Sequence, residues 1–368
     1  MIPWQRIWNE DESARRFSPT RAILYLASLP YHLVVSQRNY LYDRRILKSV
    51  KLARPVISVG NITVGGTGKT PCVIYLAQML GRLGCRTAVL SRGYGGKNPQ
   101  PVNVVSNGRT ILLDAQEAGD EPLLIARSLP GVPVLTGARR NLTGQAAIEG
   151  FGAEVLLCDD AFQHRQIRRD INIVLLDAHR PFGNGYLLPR GPLREPISGL
   201  ERADCLILTR DEHTDVLHPE IARLTAAGIP VFRAKHRFRD IVTLSDNKRL
   251  DPVMLTGKKI CAFCGIARPE SFKAILEQQG ADILSFIDFP DHHPYGRSDL
   301  EALQEGFRPL GADYWVTTEK DAMRLMAYPE FSKLICAVRV EMHIMPAATA
   351  FEEFIVGRLE GKIKTESP

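Results

Sequence analysis

Short apolar runs rich in β-branched residues alternate with helical spacings along much of the chain. The run 56–59 is apolar and breaks at Gly60 and Asn61. Beyond a glycine-rich stretch, Val73, Leu76, Ala77, Leu80 and Leu83 recur at helical spacing. The pattern predicts strands at 56–59, 87–91, 132–135, 154–158, 172–176, 205–208 and 230–233, with helices at 121–128 and 141–149. Near-continuous apolar strands separated by helices form parallel sheets covered on both faces. Ligands in such sheets sit at the carboxyl ends of the strands, so the loops after strands carry the chemistry.

From residue 237 the pattern changes. Two runs, 238–244 and 249–255, flank the polar turn Ser245-Asp246-Asn247 and predict a hairpin-like linker, although Pro252 interrupts the second run. A smaller α/β unit follows, with strands at 260–263, 283–286, 314–317 and 335–340 and a helix at 272–279. The expected organisation is an N-terminal segment 1–50, a core 51–236, a linker 237–259, a second α/β domain 260–356 and a polar tail 357–368.

The N-terminal segment differs from the rest. Its apolar run 22–35 contains His32 and is interrupted by Pro30, and it falls short of the roughly 20 residues that span a bilayer. It also lies too far from Met1, without a small-residue cleavage site, to read as a secretory signal. Arg15, Arg16 and Arg21 precede the run, and Arg38, Arg44, Arg45 and Lys48 follow it. Trp4, Trp8, Tyr25, Tyr31, Tyr40 and Tyr42 are interleaved. That composition suits a helix lying in a membrane interface; the alternative is a helix packed on the domain.

Composition narrows the class. A chain of 368 residues with 45% hydrophobic and 24% charged content is an ordinary globular protein long enough for two domains. A net charge of +6 favours an anionic partner without choosing one. Seven cysteines without a framework indicate a reducing compartment. Cys261 and Cys264 form a lone CxxC, read as strand cysteines, since no second pair stands at zinc spacing.

The strand–loop–helix around 56–70 reads VISVGNITVGGTGKT. Loop amides and a helix N-terminus facing one anion make a triphosphate site, here spanning Thr63, Val64, Gly65, Gly66, Thr67, Gly68, Lys69 and Thr70. Lys69 would reach the β- and γ-phosphates and Thr70 would offer its hydroxyl to Mg²⁺. Thr63 stands where the usual pattern begins with glycine, and Pro71 is tolerated in the first helical turn. The core VGGTGKT resembles partitioning ATPases and dethiobiotin synthetase, but Val64 replaces the extra lysine of the former.

Other loops carry candidate groups. Asp159 and Asp160 end a buried strand, the usual place for a Mg²⁺-associated acid, with His164 and Arg165 close behind; Asp177 is a second candidate. Asp120 opens a helix and by itself reads as a cap. The loop 182–196 holds Arg190, Arg194 and Glu195 among glycines and prolines and fits either a solvated linker or a loop that closes over phosphates. Asp291-His292-His293 lacks further ligands at metal spacing, and the polar run 317–321 reads as a helix start or a domain-facing loop.

Together the motifs VGNITVGGTGKTP (59–71), SRGYGG (91–96), GDEP (119–122), DDAFQHR (159–165), GNG…LLPRGPLREP (183–196), FCGIARPESF (263–272), DHH (291–293) and TTEKDA (317–322) resemble the tetraacyldisaccharide 4′-kinases, the lipid A 4′-kinases of Gram-negative bacteria. The resemblance extends over nearly the whole chain. It implies a P-loop NTPase-like α/β core, ATP and Mg²⁺ as cofactors, and phosphorylation of the 4′-hydroxyl of a disaccharide 1-phosphate lipid precursor. It also implies a peripheral enzyme on the cytoplasmic face of the inner membrane, with no nucleic acid and no obligate protein partner. On it Lys69 and Thr70 are triphosphate and metal contacts, and Asp159 and Asp160 are metal acids. Asp120 is the implied base, assisted by His292 of the second domain, and Tyr94, Glu121, His164, Arg194 and Glu195 line the site. Ala161 departs from the family's usual glycine, which matters only if that turn needs a positive φ, at a cost of about 1 kcal/mol. Two rivals stay open: a membrane-cycling ATPase of the partitioning type, and a ligase resembling dethiobiotin synthetase.

Overall fold

The computed structural model describes residues 8, 18–210, 217–246, 248–345 and 348–362. Trp4, Arg15, Arg16, Asn247 and the last residues of the expected tail lie outside them. In chain order the strands are β1 (Val56–Gly60), β2 (Thr87–Ser91), β3 (Asn103–Asn107), β4 (Pro133–Thr136), β5 (Val155–Asp159), β6 (Ile171–Asp177), β7 (Cys205–Thr209), β8 (Val231–Thr243), β9 (Arg249–Leu250), β10 (Lys259–Cys264), β11 (Asp282–Asp288), β12 (Tyr314–Thr318) and β13 (Ile335–Met345).

The chain forms two compact units. The first gathers Met1–Arg92, Gly137–Lys235 and His343–Pro368; the second gathers Gly93–Thr136 and His236–Met342. These segments interleave, unlike the consecutive domains expected from the pattern. Residues 93–136 leave the expected core for the second unit, and the chain returns to the first unit within β13.

In the first unit β8, β7, β6, β1, β5 and β2 lie side by side, all parallel. β1 is central and buried along its whole length, as its unbroken apolar sequence requires. Val174 and Leu176 of β6 and Leu206 and Leu208 of β7 alternate onto one face. There they pack with Phe162, Leu193, Ile221 and Leu224. The C-terminal helix Ala348–Leu359 buries Phe351, Ile355 and Leu359 at i, i+4 spacing, and Phe351 meets Phe232 and Tyr75. That helix runs beyond residue 356, so the expected tail begins later than its polar composition indicated.

The N-terminal helix Pro19–Asp43 packs on the chain along one side. Leu24, Ser28 and Val35 turn inward. Tyr31 Oη donates to the Arg194 carbonyl at 2.8 Å, and Asn39 Nδ2 donates to Glu195 at 3.2 Å. The opposite side exposes Ile23 (66%), Leu26, Leu33 (69%) and Val34. The helix is therefore docked by one stripe and leaves an apolar stripe uncovered. Among the described residues no helix is long and apolar enough to cross a membrane.

In the second unit β11, β10, β12 and β13 are parallel neighbours, followed by β8. β3 and β4 pair antiparallel, a departure from the all-parallel expectation. The prolines and polar residues around β3 hid that strand from an apolar count. The second arm of the expected hairpin shrinks to β9, because a 3₁₀ turn begins at Pro252 with Asp251 accepting from the Val253 amide at 3.0 Å. Cys261 and Cys264 are free, buried strand residues, as read from the sequence. Three apart on a strand, they face opposite clusters and cannot share a ligand.

Candidate active site

In the first unit the glycine-rich loop links β1 to the helix Lys69–Arg82. Gly65 (φ 115°) and Gly68 (φ 86°) need glycine's freedom. Thr63, in the place of the usual first glycine, instead forms a β-bridge with Leu193. The Val64 amide donates to the Pro192 carbonyl at 2.8 Å, and the Arg194 amide donates to the Ile62 carbonyl at 2.7 Å. The arginine-bearing loop is thus laced to the phosphate loop, and an extended Thr63 suits that lacing. Arg210, which the sequence reading passed over, pairs with Asp177 at 2.6 Å and donates to the Gly66 carbonyl at 2.7 Å. Asp177, the second candidate metal acid, therefore anchors a brace on the phosphate loop.

Asp159 and Asp160 end β5 and behave differently. Asp159 is buried; its carbonyl accepts from the buried Arg140, and the Ser91 hydroxyl lies 3.5 Å from Oδ2. Asp160 accepts from Arg194 through both oxygens at 2.8 and 2.9 Å and lies 3.6 Å from Lys69 Nζ. Burial works to raise its pKa, but Lys69 and Arg194 outweigh it and hold the carboxyl below the usual range. The positive φ of this turn (48°) falls on Asp160, a residue type that tolerates it. Ala161 carries no such strain and is fully buried, so its departure from glycine costs nothing in backbone conformation.

Glu195 is completely buried, its oxygens taken by Gln163 at 2.8 Å, Arg202 at 2.5 Å and Asn39 at 3.2 Å. It ties the arginine-bearing loop to Asn39, Gln163 and Arg202. Burial, then Arg140, Arg169, Arg92 and Arg38, push the His164 pKa down to about 4, so the ring is neutral near pH 7.

The second unit holds the other group. Gly119 (φ 91°) precedes the helix Asp120–Ser128, and a side chain there would meet the Tyr94 carbonyl at 2.4 Å. Asp120 is buried at the first helical position. Gly119 takes the cap position, so Asp120 is not the cap its sequence suggested; its Oδ1 accepts from the adjacent Glu121 amide at 3.0 Å, while Oδ2 faces His292 Nδ1 at 3.1 Å. Burial alone would raise the Asp120 pKa; the His292 hydrogen bond, Lys320 and Arg324 reverse this and lower it. Lys320 reaches His292 Nε2 at 2.9 Å and Glu121 at 3.1 Å, and Arg324 Nε lies 3.5 Å from Asp120. The exposed Tyr94 ring sits edge-on to the imidazole at 6.0 Å. His293 takes no part, pairing with Asp299 at 3.0 Å.

The expected residues thus fall into two clusters. Lys69, Asp160 and Arg194 come together in one unit; Asp120, Glu121, His292 and Tyr94 come together in the other. Arg210, Lys320 and Arg324 were missed as members. Lys320 and Arg324 follow a strand end at helical spacing from one another, the one signal that placed them on a common face.

A family profile described as tetraacyldisaccharide-1-P 4′-kinase matches residues 20–360. A tetraacyldisaccharide 4′-kinase from Syntrophus aciditrophicus is 47% identical over 362 residues, covering 96% of both chains. Another, from Pelobacter propionicus, is 41% identical over 91% of this chain and 92% of its own. A crystal structure of LpxK from Aquifex aeolicus in complex with ATP superposes with a TM-score of 0.76. It shares 33% identity, covering 92% of this chain and 99% of that one.

Proposed function

The chain belongs to the tetraacyldisaccharide-1-P 4′-kinase family and is an ATP-dependent kinase, and we propose that Asp120 is the base that deprotonates the acceptor 4′-hydroxyl. Membership over residues 20–360 decides against the partitioning ATPase and the ligase. The observation that carries the base assignment is the 3.1 Å contact of Asp120 with His292, in a group apart from the strand-end acids of β5. A base must be free of metal and within hydrogen-bond reach of its proton. His292 orients Asp120, and Lys69 meets the γ-phosphate as charge develops on it.

Mg²⁺ in kinases is held by one or two carboxylates and the substrate's phosphates. The Thr70 hydroxyl and the buried Asp159 carboxylate are hard oxygen donors of that kind, and the ion would neutralise phosphate charge there. Asp160, engaged through both oxygens by Arg194, would instead align the cations Arg194 and Lys69. Radiolabelled γ-phosphate should appear in an organic-extractable glycolipid when enzyme, ATP, Mg²⁺ and a tetraacyldisaccharide 1-phosphate are combined. ATP turnover with no labelled lipid would overturn the reading.

The enzyme is proposed to work peripherally on the cytoplasmic face of the inner membrane, without an obligate protein partner. The uncovered stripe of Ile23, Leu26, Leu33 and Val34, with Arg44, Arg45 and Lys48 beyond it, supports this. Each basic residue near an anionic surface adds about 1 kcal/mol, so binding should be reversible and weakened by salt. Removing residues 1–48 would also strip Tyr31 and Asn39 from the arginine loop, so substitutions on the exposed stripe are the cleaner test. Leu26→Glu with Leu33→Glu should abolish sedimentation with anionic vesicles and lower lipid phosphorylation while ATP binding persists. Sedimentation equal to wild type would refute the membrane role of this helix.

A further inference from the structure

We propose that Lys320 is a positioning residue: its ammonium fixes His292 as the neutral tautomer protonated at Nδ1, so that the imidazole can only donate to Asp120. The inference rests on Asp120 being the base.

Lys320 Nζ lies 2.9 Å from His292 Nε2, 3.1 Å from Glu121 Oε1 and 3.8 Å from Asp291 Oδ1. Burial works against its charge, but Glu121, Asp291 and Asp120 outweigh it and raise its pKa, so Lys320 stays an ammonium. An ammonium has three donors and no acceptor. His292 Nε2 must therefore present its lone pair. The single ring proton of the neutral imidazole then sits on Nδ1, 3.1 Å from Asp120 Oδ2. The other tautomer would set a ring lone pair against a carboxylate and leave two donors facing each other at Nε2. The same logic bars Nε2 from accepting a second proton while Lys320 is in place. The proton taken from the sugar therefore stays on Asp120.

The surrounding backbone holds this geometry. His292 has φ 59°, and its amide donates to the Gly265 carbonyl at 3.1 Å. The Gly265 amide donates to Asp321 Oδ2 at 3.0 Å, one residue beyond Lys320 on the helix Glu319–Leu325. Asp321 accepts from Thr318, the cap of that helix, as well. One buried carboxylate thus ties the loop carrying His292 to the helix carrying Lys320. The charged and titratable groups facing the imidazole are Asp120, Lys320, Glu121, Asp291 and Arg324, with the Tyr94 ring at its edge.

The ring ¹⁵N shifts of histidine-labelled protein read the tautomer directly, with His292 identified by the signals lost in His292→Gln. In the wild type Nδ1 should be protonated and Nε2 bare at pH 7. Lys320→Met should release Nε2, giving a ring that carries its proton on Nε2 as well as on Nδ1. Its kcat should fall about tenfold, the lower end of the loss seen when the outer partner of a metal-bound histidine is removed. The KM for ATP should be unchanged. Lys320→Arg offers Nε2 donors and no acceptor, and should keep the tautomer and most of kcat.

Three results would overturn the proposal. They are a wild-type His292 that is Nε2-protonated or imidazolium at pH 7, a Lys320→Met enzyme with the wild-type tautomer, and a Lys320→Arg enzyme that behaves like Lys320→Met. The wild-type spectrum and Lys320→Arg decide the matter if Lys320→Met does not fold. Full activity of Asp120→Asn would sink the base assignment alone, leaving the tautomer measurement standing.

Discussion

Asp120→Asn should lower kcat by roughly 10²–10⁴-fold, the usual worth of a general base, with ATP affinity little changed. Asparagine keeps the shape and can still accept from the Glu121 amide, but it cannot take a proton. His292→Ala should cost less. It should add little to Asp120→Asn, because two residues acting as a unit are not additive. Asp159→Asn should instead raise the Mg²⁺ requirement. Measuring kcat against Mg²⁺ for the three variants separates the roles. Rescue of Asp120→Asn by excess Mg²⁺, with Asp159→Asn unrescued, would reverse the assignment.

The pH dependence follows from the direction of the Asp120 shift. Base catalysis needs the carboxylate, which is present above its pKa, and that pKa lies below the ordinary 3.8. Protonation of Asp120 therefore removes activity only as pH falls through that lowered value, and any loss of kcat between pH 5 and 7 belongs to another group. A lowered pKa makes Asp120 a weak base. Phosphoryl transfer tolerates this, since its loose transition state asks mainly for position and charge neutralisation.

Much of this arrangement was legible in the chain because it is local. β1, the glycine loop and the helix after it follow from an apolar run, two glycines with positive φ and helical spacing within one short stretch. The acids at the end of β5 were found for the same reason. What escaped depends on residues distant in sequence. Asp177 reads as a metal acid until Arg210, 33 residues on, is seen to take it. Glu195 reads as a site carboxylate until Asn39, Gln163 and Arg202 converge on it. Lys320 sits at a strand-to-helix junction, and no spacing announces that it meets His292. The interleaved units were hidden too. Periodicity reports which face of an element is apolar but not which partner covers it, so 93–136 read as part of the core that surrounds it in sequence. Only the family resemblance linked Asp120 to His292, 172 residues apart.

Lys69→Ala should nearly abolish transfer, with losses in both kcat and nucleotide affinity. The side chain is only 12% exposed and its ammonium lies 3.6 Å from Asp160, itself gripped by Arg194. Cations so held are already organised where phosphate charge develops, so they stabilise the transition state without first reorganising. Removing one preorganised donor costs about 10²–10³ in kcat. Here the lost donor is a full charge, so the upper end is expected, with weaker ATP binding added. The fold should survive, because Asp160 keeps its two hydrogen bonds to Arg194 and the helix start gains a good helix former. A thermal midpoint near wild type would therefore separate lost chemistry from lost structure. Asp160→Asn supplies the contrast. It frees Lys69 and Arg194 from their common partner, so it should lower kcat less than Lys69→Ala while leaving both cations present. Activity of Lys69→Ala within a few-fold of wild type would mean that the glycine-rich loop does not bind the transferred phosphate.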